Sequence, residues 1–325
     1  MKRYAWVVRC LGLLLFAGLL WYARPASVWA AAREVDGGAL GLAVLAAVGV
    51  MLLRNARWKQ VLAYCGGTIR WRDLLPLACV SSFLGNVPPG RAGELWKMSF
   101  AGAETYTRSQ YLVSFFYDRL FDVATMAALA FVGLTWSAER GSLLFRIALM
   151  ALMVAAVACV LWRRRVRGWI ERAMRRYEID WRDVRRPRAS LWRHGVPLLI
   201  AHGLSVVLYV AIYGFLFRAV GVSVPAVPLA VAAAISAMVS VLPVSVAGLG
   251  TREAVLLHFL RPYYDAPSQV ILVGMLDVVL LAYVLTGLLA LPCWLMGLPK
   301  AGVASGAPTN RSTKHSSAES LDAGN

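Results

Sequence analysis

The sequence predicts an all-α polytopic membrane protein with about six transmembrane helices and two re-entrant hairpins, each broken by proline and glycine, in an inverted repeat. The first observation behind this prediction is composition, since 59% of the 325 residues are hydrophobic and only 16% are charged. An ordinary soluble domain carries more charge. The second is that apolar runs recur along the whole chain, and the third is that two further runs contain proline and glycine.

Uninterrupted apolar runs predict six crossings, because a helix needs roughly 20 apolar residues to cover the hydrocarbon core. These runs are Ala5–Ala23, Leu40–Leu53 with some extension, Tyr111–Trp136, Leu143–Trp162, Val196–Phe217 and Gln269–Leu295. The first run also has features of a cleaved signal peptide. Trp6 and Trp21 lie at its two ends like an interfacial aromatic belt, so we expect a retained helix.

Basic residues predict the orientation of the chain. The 34 Lys and Arg residues exceed the 17 Asp and Glu residues, and most of the excess lies between apolar runs, as in positive-inside patterning. A nucleic-acid groove would interleave basic and aromatic residues on a soluble surface, so no nucleic-acid partner is expected. Lys2 and Arg3 place the N-terminus in the cytoplasm, and the twelve arginines from Arg163 to Arg193 mark the longest cytoplasmic loop. We therefore expect the bacterial inner (cytoplasmic) membrane, with both termini cytoplasmic.

The loops around the second crossing predict the sidedness of the two interrupted segments, Leu74–Met98 and Val227–Leu260. Residues 24–38 are predicted to be an external loop, and the stretch after the second crossing a cytoplasmic one. The charges of that second stretch are Arg54, Arg57, Lys59, Arg70 and Arg72, against Asp73. Counting sides makes segment 74–98 begin and end in the cytoplasm and segment 227–260 enter from outside. Opposed broken helices are the sequence sign of an inverted-topology repeat.

One transmembrane domain is therefore predicted over residues 1–298. Its first half covers about 40–162 and its second half about 195–298, joined by the basic cytoplasmic loop 163–193. Residues 299–325 are rich in Ser, Ala, Gly and Thr without an apolar period, which predicts a disordered cytoplasmic tail.

Each interrupted segment contains proline and glycine followed by a half-helix that opens with Arg and Glu. Asn86, Arg91 and Glu94 belong to the first break, and Arg252 and Glu253 to the second. The N-terminus of a half-helix favours an anion, and an Arg there adds a bidentate partner for phosphate or carboxylate. Ionisable residues at membrane depth usually mark a pathway or a site. The alternative is that each Arg–Glu pair only neutralises itself within its own hairpin.

The helix predicted at 111–136 contains three charged residues, Asp118, Arg119 and Asp122. The two carboxylates lie one turn apart on one face, too deep for short side chains to reach water. We expect them either to neutralise the hairpin residues Arg91 or Arg252 or to line a cavity. Pure structural pairing is the alternative.

Asp277 is the lone acid of the last predicted helix. A single buried carboxylate needs a partner or becomes protonated, so this residue is a candidate for proton coupling. A hydrogen bond to a neighbouring helix is the alternative. The four histidines and five cysteines are dispersed without ligand spacing, which predicts neither a metal nor another cofactor and no catalytic residue.

Three motifs resemble the lysylphosphatidylglycerol synthase transmembrane-domain family, also called flippase-like. They are the stretch from Asn86 to Glu94, the pair Asp118–Arg119, and the stretch from Gly248 to Glu253. The resemblance covers about residues 5 to 297. The family includes the membrane half of the bacterial multiple peptide resistance factor, which implies translocation of a modified phospholipid between leaflets. We expect no soluble aminoacyl-transferase domain here, so the resemblance does not carry the substrate over.

The leading hypothesis is a flippase-like transporter that moves a lipid with an anionic or modified headgroup, so its partners are membrane lipids and a lipid-modifying enzyme. One alternative is a membrane enzyme that transfers a sugar or headgroup to a polyprenyl-phosphate or lipid acceptor. That alternative is disfavoured because the sequence has no DxD motif, and Glu34 with Asp36 is the only suggestive acidic pair on the outer side. A second alternative is an accessory subunit of lipid synthesis.

Overall fold

A computed structural model describes residues 14–86, 89–101, 105–136, 184, 191–241 and 248–295. The regular structure in these ranges is helical throughout, which confirms the helical class. The helices are α1 (residues 14–22), α2 (Pro25–Arg33), α3 (Gly37–Tyr64), α4 (Trp71–Asn86), a 3₁₀ helix (Pro89–Phe100), α5 (Arg108–Trp136), α6 (Leu191–Ala219), α7 (Ala226–Val241), α8 (Thr251–Phe259), a 3₁₀ turn (Arg261–Tyr263) and α9 (Pro267–Leu295).

Three helices within these ranges are long and apolar enough to cross a membrane. They are α3, the part of α6 from Val196 to Ala219, and α9. They coincide with three of the predicted spans, and the predicted span Tyr111–Trp136 is helical throughout as part of α5. Several predictions fall outside the described residues: the start of the first span, the span Leu143–Trp162, most of the arginine-rich loop, the stretch 242–247 of the second break, and the tail 299–325.

Residues 24–38, which were predicted to be a loop, contain α2. Pro25 occupies the first turn of α2, where its fixed φ and missing N–H are compatible with a helix start. The Asp36 side chain then accepts hydrogen bonds from the backbone N–H groups of Gly38 and Ala39, at 2.9 and 3.2 Å, and caps α3. The sequence analysis weighed charge balance and overlooked these start signals, so it missed this short helix; the external side of the connection stays a prediction.

Helix α3 continues eleven residues beyond the predicted run Leu40–Leu53, to Tyr64. Arg54 and Arg57 therefore lie inside a helix and not in a loop, which corrects the sequence-based interpretation. Buried Trp58, Val61 and Leu62 give this extension an apolar face, because positions three and four apart share one side of a helix.

The core of the molecule forms where α3 packs along α6. Small residues of α3, including Ala43 and Ala46, meet buried Tyr213, Leu216 and Phe217 of α6 in one cluster. Small side chains let two helix backbones approach closely in a membrane protein. This pair forms one wall behind the site described below.

Both interrupted segments turn back on themselves. We call α4 with its 3₁₀ helix the first broken segment, and α7 with α8 the second, since the two parts pack together in each case. At Gly93 a Cβ atom would collide with the backbone carbonyl of Leu84, so only glycine permits this approach. Gly248 and Gly250 adopt φ of +87° and +84° in the second break, a region that favours glycine.

Each broken segment also packs against a helix from the other half of the chain. Helix α4 contacts the C-terminal part of α9, and α7 contacts α5. Within α9, residues Leu276–Leu285 form a π-helix between two α-helical parts. Such stretches are rare and occur frequently at functional sites.

Candidate functional site

A polar cavity of about 210 Å³ lies where the two broken segments meet α3, α5, α6 and α9. It is larger than the ~150 Å³ of a cavity that admits benzene. The charged residues that line it are Arg54, Glu94, Lys97, Asp118, Arg119, Arg252 and Asp277. We call this space the central cavity.

The two aspartates of α5 hold arginines of α3. The Oδ1 of Asp118 accepts from Nε of Arg57 at 2.7 Å, and the Oδ1 of Asp122 accepts from Nη1 of Arg57 at 2.6 Å. Arg54 Nη2 donates to the other oxygen of Asp122 at 3.1 Å. The two carboxylates thus lie on one face of α5, as their spacing predicts. Their partners are arginines of α3, which the sequence analysis had placed in a loop.

Arg57 is the centre of this network, with 1% of its surface exposed. Besides the two carboxylates it contacts Nδ1 of His202 on α6, and Nε2 of His202 lies 2.6 Å from the Thr125 hydroxyl. A buried charge is tolerated when it is paired and hydrogen-bonded in this way. Arg57 therefore joins α3, α5 and α6.

Arg119 connects α5 to the first broken segment. Its Nη2 donates to Asp118 at 2.7 Å and lies 3.6 Å from a carboxylate oxygen of Glu94. The hydroxyl of Tyr111 donates to the backbone carbonyl of Glu94 at 2.6 Å. Glu94 is thereby held at the cavity wall through both its side-chain carboxylate and its backbone carbonyl.

Lys97 follows Glu94 by three residues in the 3₁₀ helix. Side chains at this spacing eclipse in a 3₁₀ helix, so both face the central cavity. The Lys97 ammonium donates to the Oδ1 of Asn55 at 3.2 Å and lies 4.7 Å from the ring centroid of Trp58. The sequence analysis did not select either Lys97 or Asn55.

The second broken segment contributes Arg252, which forms an ion pair with Asp277 of α9. Tyr213 donates its hydroxyl to Oδ2 of Asp277 at 3.0 Å, and Ser240 accepts from Arg252 at 3.3 Å. Glu253 is fully buried, and its Oε2 accepts from the N–H of Gly250 at 2.6 Å, capping α8. The arginine of the second motif thus bonds to another helix, and its glutamate caps its own.

Asn86 ties the first broken segment to the π-helical stretch of α9. Its Nδ2 donates to the carbonyl of Ala282 at 2.6 Å, and its own carbonyl accepts from the hydroxyl of Tyr283 at 2.8 Å. Since Asp277 lies in the same stretch, both broken segments are bonded to it.

The central cavity brings together six of the predicted site residues. They are Asn86, Glu94, Asp118, Arg119, Arg252 and Asp277. Asp122 pairs with the lining residue Arg54, and Glu253 caps α8, so these two act from outside the lining. The side chain of Arg91 lies outside the part of the chain that the structure describes.

Comparison with known proteins agrees with these motifs. The family model described as the lysylphosphatidylglycerol synthase TM region matches residues 9–290. That range includes both broken segments and nearly all of α9, so it covers every residue that lines the central cavity. No curated protein matches the chain in sequence. The chain belongs to the lysylphosphatidylglycerol synthase TM region family, a family of membrane proteins in lipid modification or transport.

Proposed function

We propose that this protein is a flippase-like transporter that moves a lipid with an anionic or modified headgroup between the leaflets of the bacterial inner membrane. One observation carries the proposal: a polar cavity large enough for a small headgroup is lined by charged residues from both broken segments and lies among apolar helices. Membership of the family points to lipid modification or transport. The headgroup enters the cavity while the acyl chains stay in the bilayer.

The proposed topology has six crossings, cytoplasmic termini and two re-entrant hairpins that enter from opposite faces. Two facts support it. Each broken segment folds back on itself, and each rests on a helix of the other half. Inverted repeats commonly place a substrate site between such discontinuous helices, and irregular backbone at membrane depth is tolerated where it lines a cavity.

The proposed headgroup site comprises residues that line the cavity and residues that hold them. These are Asn86, Arg91, Glu94, Asp118, Arg119, Asp122, Arg252 and Glu253. Asp277 is the proposed coupling residue, because an anion that binds Arg252 competes directly with it. Ion pairs among these residues lower the cost of keeping charged groups at membrane depth.

Lipid translocation in reconstituted vesicles tests the proposal. The full chain is incorporated into vesicles that contain lipids with a fluorescent headgroup, and the loss of signal on external quenching is followed. We expect faster translocation than in protein-free vesicles, and the charge-neutral double variant Arg252→Gln/Asp277→Asn should abolish the gain. The matched control is Arg261→Gln, since Arg261 is exposed and stacks on Tyr264 away from the cavity.

Two outcomes contradict parts of this proposal. Wild-type protein that moves no lipid faster than protein-free vesicles would refute transport. A double variant as fast as wild type would be compatible with transport but would show that the Arg252–Asp277 pair is not part of the transport site.

A further inference from the structure

The charges that line the central cavity do not balance among the side chains that the structure describes. Four are cations and three are carboxylates, which leaves one positive charge in excess. The cations are Arg54, Lys97, Arg119 and Arg252, and the carboxylates are Glu94, Asp118 and Asp277. Behind the lining, Arg57 and Asp122 balance each other, and the buried carboxyl group of Glu253 lies next to Arg252 in the same helix.

The excess charge is located at Lys97. The other three lining cations all form ion pairs: Arg54 with Asp122, Arg119 with Asp118, and Arg252 with Asp277. The Lys97 ammonium instead donates to the neutral amide oxygen of Asn55, and no described carboxylate reaches ion-pair distance from it.

Lys97 is also deeply buried, with 8% of its surface exposed. A buried charge without an opposite charge is costly, and a lysine ammonium has three donors, of which the Asn55 bond uses one. The face of the Trp58 ring stabilises the cation but does not neutralise it. These features leave an ammonium at the cavity wall with donors for an anion.

The surroundings fix the position of this ammonium. The Tyr106 hydroxyl donates to the Lys97 carbonyl at 2.7 Å, and the Asn55 amide nitrogen donates to the Met51 carbonyl at 2.7 Å, which turns its oxygen toward Lys97. Trp58 is held by a bond to Ser114 at 3.2 Å and by edge contacts with Tyr106. A group held by its neighbours in this way binds a ligand with little ordering cost.

We propose that Lys97 is the primary anchor of the substrate's anionic group. The inference rests on the proposed function and names the residue that binds the anionic group. Arg119 and Arg252 then act as donors whose charge is already balanced.

Binding of short-chain lipids to the purified full-length protein in detergent tests this assignment. The probes are dihexanoyl phosphatidylglycerol as the phosphodiester, dihexanoyl phosphatidic acid as the phosphomonoester and dihexanoyl glycerol as the neutral lipid, each titrated by calorimetry. We expect both anionic lipids to bind more tightly than the neutral lipid. Lys97→Gln should weaken that binding about tenfold or more, as expected for loss of a charge-assisted hydrogen bond, and Lys97→Arg should restore part of it.

The matched control is Lys59→Gln, because Lys59 lies 4.9 Å over the Trp71 ring in a similar cation–π contact but does not line the cavity. The assignment is overturned if Lys97→Gln binds both anionic lipids like wild type, or if the neutral lipid binds as tightly as they do. Translocation distinguishes the two proposals. Lys97-dependent binding without translocation would support the anion site and refute transport. Translocation that is unaffected in Lys97→Gln would support transport and refute the anion site at Lys97.

Discussion

The two broken segments share one sequence pattern but differ in how they use its charges. In the first, Glu94 faces the central cavity and pairs with Arg119, and Lys97 stands beside it. In the second, Glu253 turns away to cap α8, and Asp277 of α9 supplies the counter-ion for Arg252. Among the described residues, the same residue types therefore join a network of several ion pairs in the first segment and a pair with α9 in the second.

This difference suggests different roles for the two sides of the central cavity. The first side is the first broken segment with its partners on α3 and α5, and the second side is the second broken segment with its partner on α9. The first side is fixed by Arg57, which bonds three helices together, and by tyrosine bonds to the backbone of the 3₁₀ helix. On the second side the ion pair of Arg252 with Asp277, with bonds to Tyr213 and Ser240, joins α8 to α9. Because Arg57 and the tyrosines hold the first side in place, we infer that the first side receives the anion.

The largest expected effect on stability comes from replacing Arg57, the centre of the ion-pair network on the first side. Arg57→Met leaves the buried carboxylate of Asp118 and the partly buried carboxylate of Asp122 with less compensation, and we expect a loss of about 3–5 kcal/mol in the free energy of unfolding. Thermal and chemical unfolding in detergent measure it. Arg33→Met is the control, since Arg33 is an exposed arginine stacked on Trp29. Equal stability of the two variants would show that the network around Arg57 does not stabilise the fold.

The pair on the second side should give a smaller loss that a second substitution reverses. Arg252→Met or Asp277→Leu alone leaves one buried charge and should cost about 3 kcal/mol, whereas the double variant should approach wild-type stability. The double-mutant cycle measures the coupling energy, and the vesicle assay should show lost translocation for all three. Additive single effects would contradict a direct pair.

Close backbone approach predicts a further, smaller effect in the first broken segment. Gly93→Ala places a Cβ against the Leu84 carbonyl, and such overpacking typically costs about 1–3 kcal/mol. Gly203→Ala on α6 is the matched control, because no atom lies within 4 Å of its added Cβ. We expect the control to keep or gain stability, since alanine favours a helix over glycine. Equal responses at both sites would contradict the tight turn.

Much of the fold follows from local sequence signals. Apolar length alone predicts α3, α6 and α9, and proline with glycine predicts the two breaks, because these features act within a few residues. Helix α2 and the end of α3 were missed for a specific reason. Arg54 and Arg57 match the positive-inside pattern of a loop, while their ion pairs depend on carboxylates of α5 more than sixty residues away.

The candidate site was predictable in its residue types and less so in its pairings. The spacing of Asp118 and Asp122 predicts a shared face, and the depth of Asp277 predicts a partner. Which partner each residue takes depends on how helices pack, which the sequence pattern does not encode. The motif of Pro, Gly, Arg and Glu does not extend to Lys97, and the bonds that place it depend on helix packing: the structure directs the Glu94 carboxylate to Arg119 and Lys97 to Asn55.

The smallest expected effect tests whether rigidity of the first side matters for binding. Tyr106→Phe removes one hydrogen bond to the Lys97 carbonyl and should cost about 1 kcal/mol of stability. If the ammonium is held in place by this bond, the variant should also weaken phosphodiester binding a few-fold, whereas Tyr283→Phe, which removes a similar bond to Asn86, should lose stability without weakening that binding. A Tyr106→Phe variant that binds like wild type would show that Asn55 and Trp58 suffice to position Lys97. The fixed position of the first side would then rest on Arg57 and on the bond from Tyr111 to Glu94.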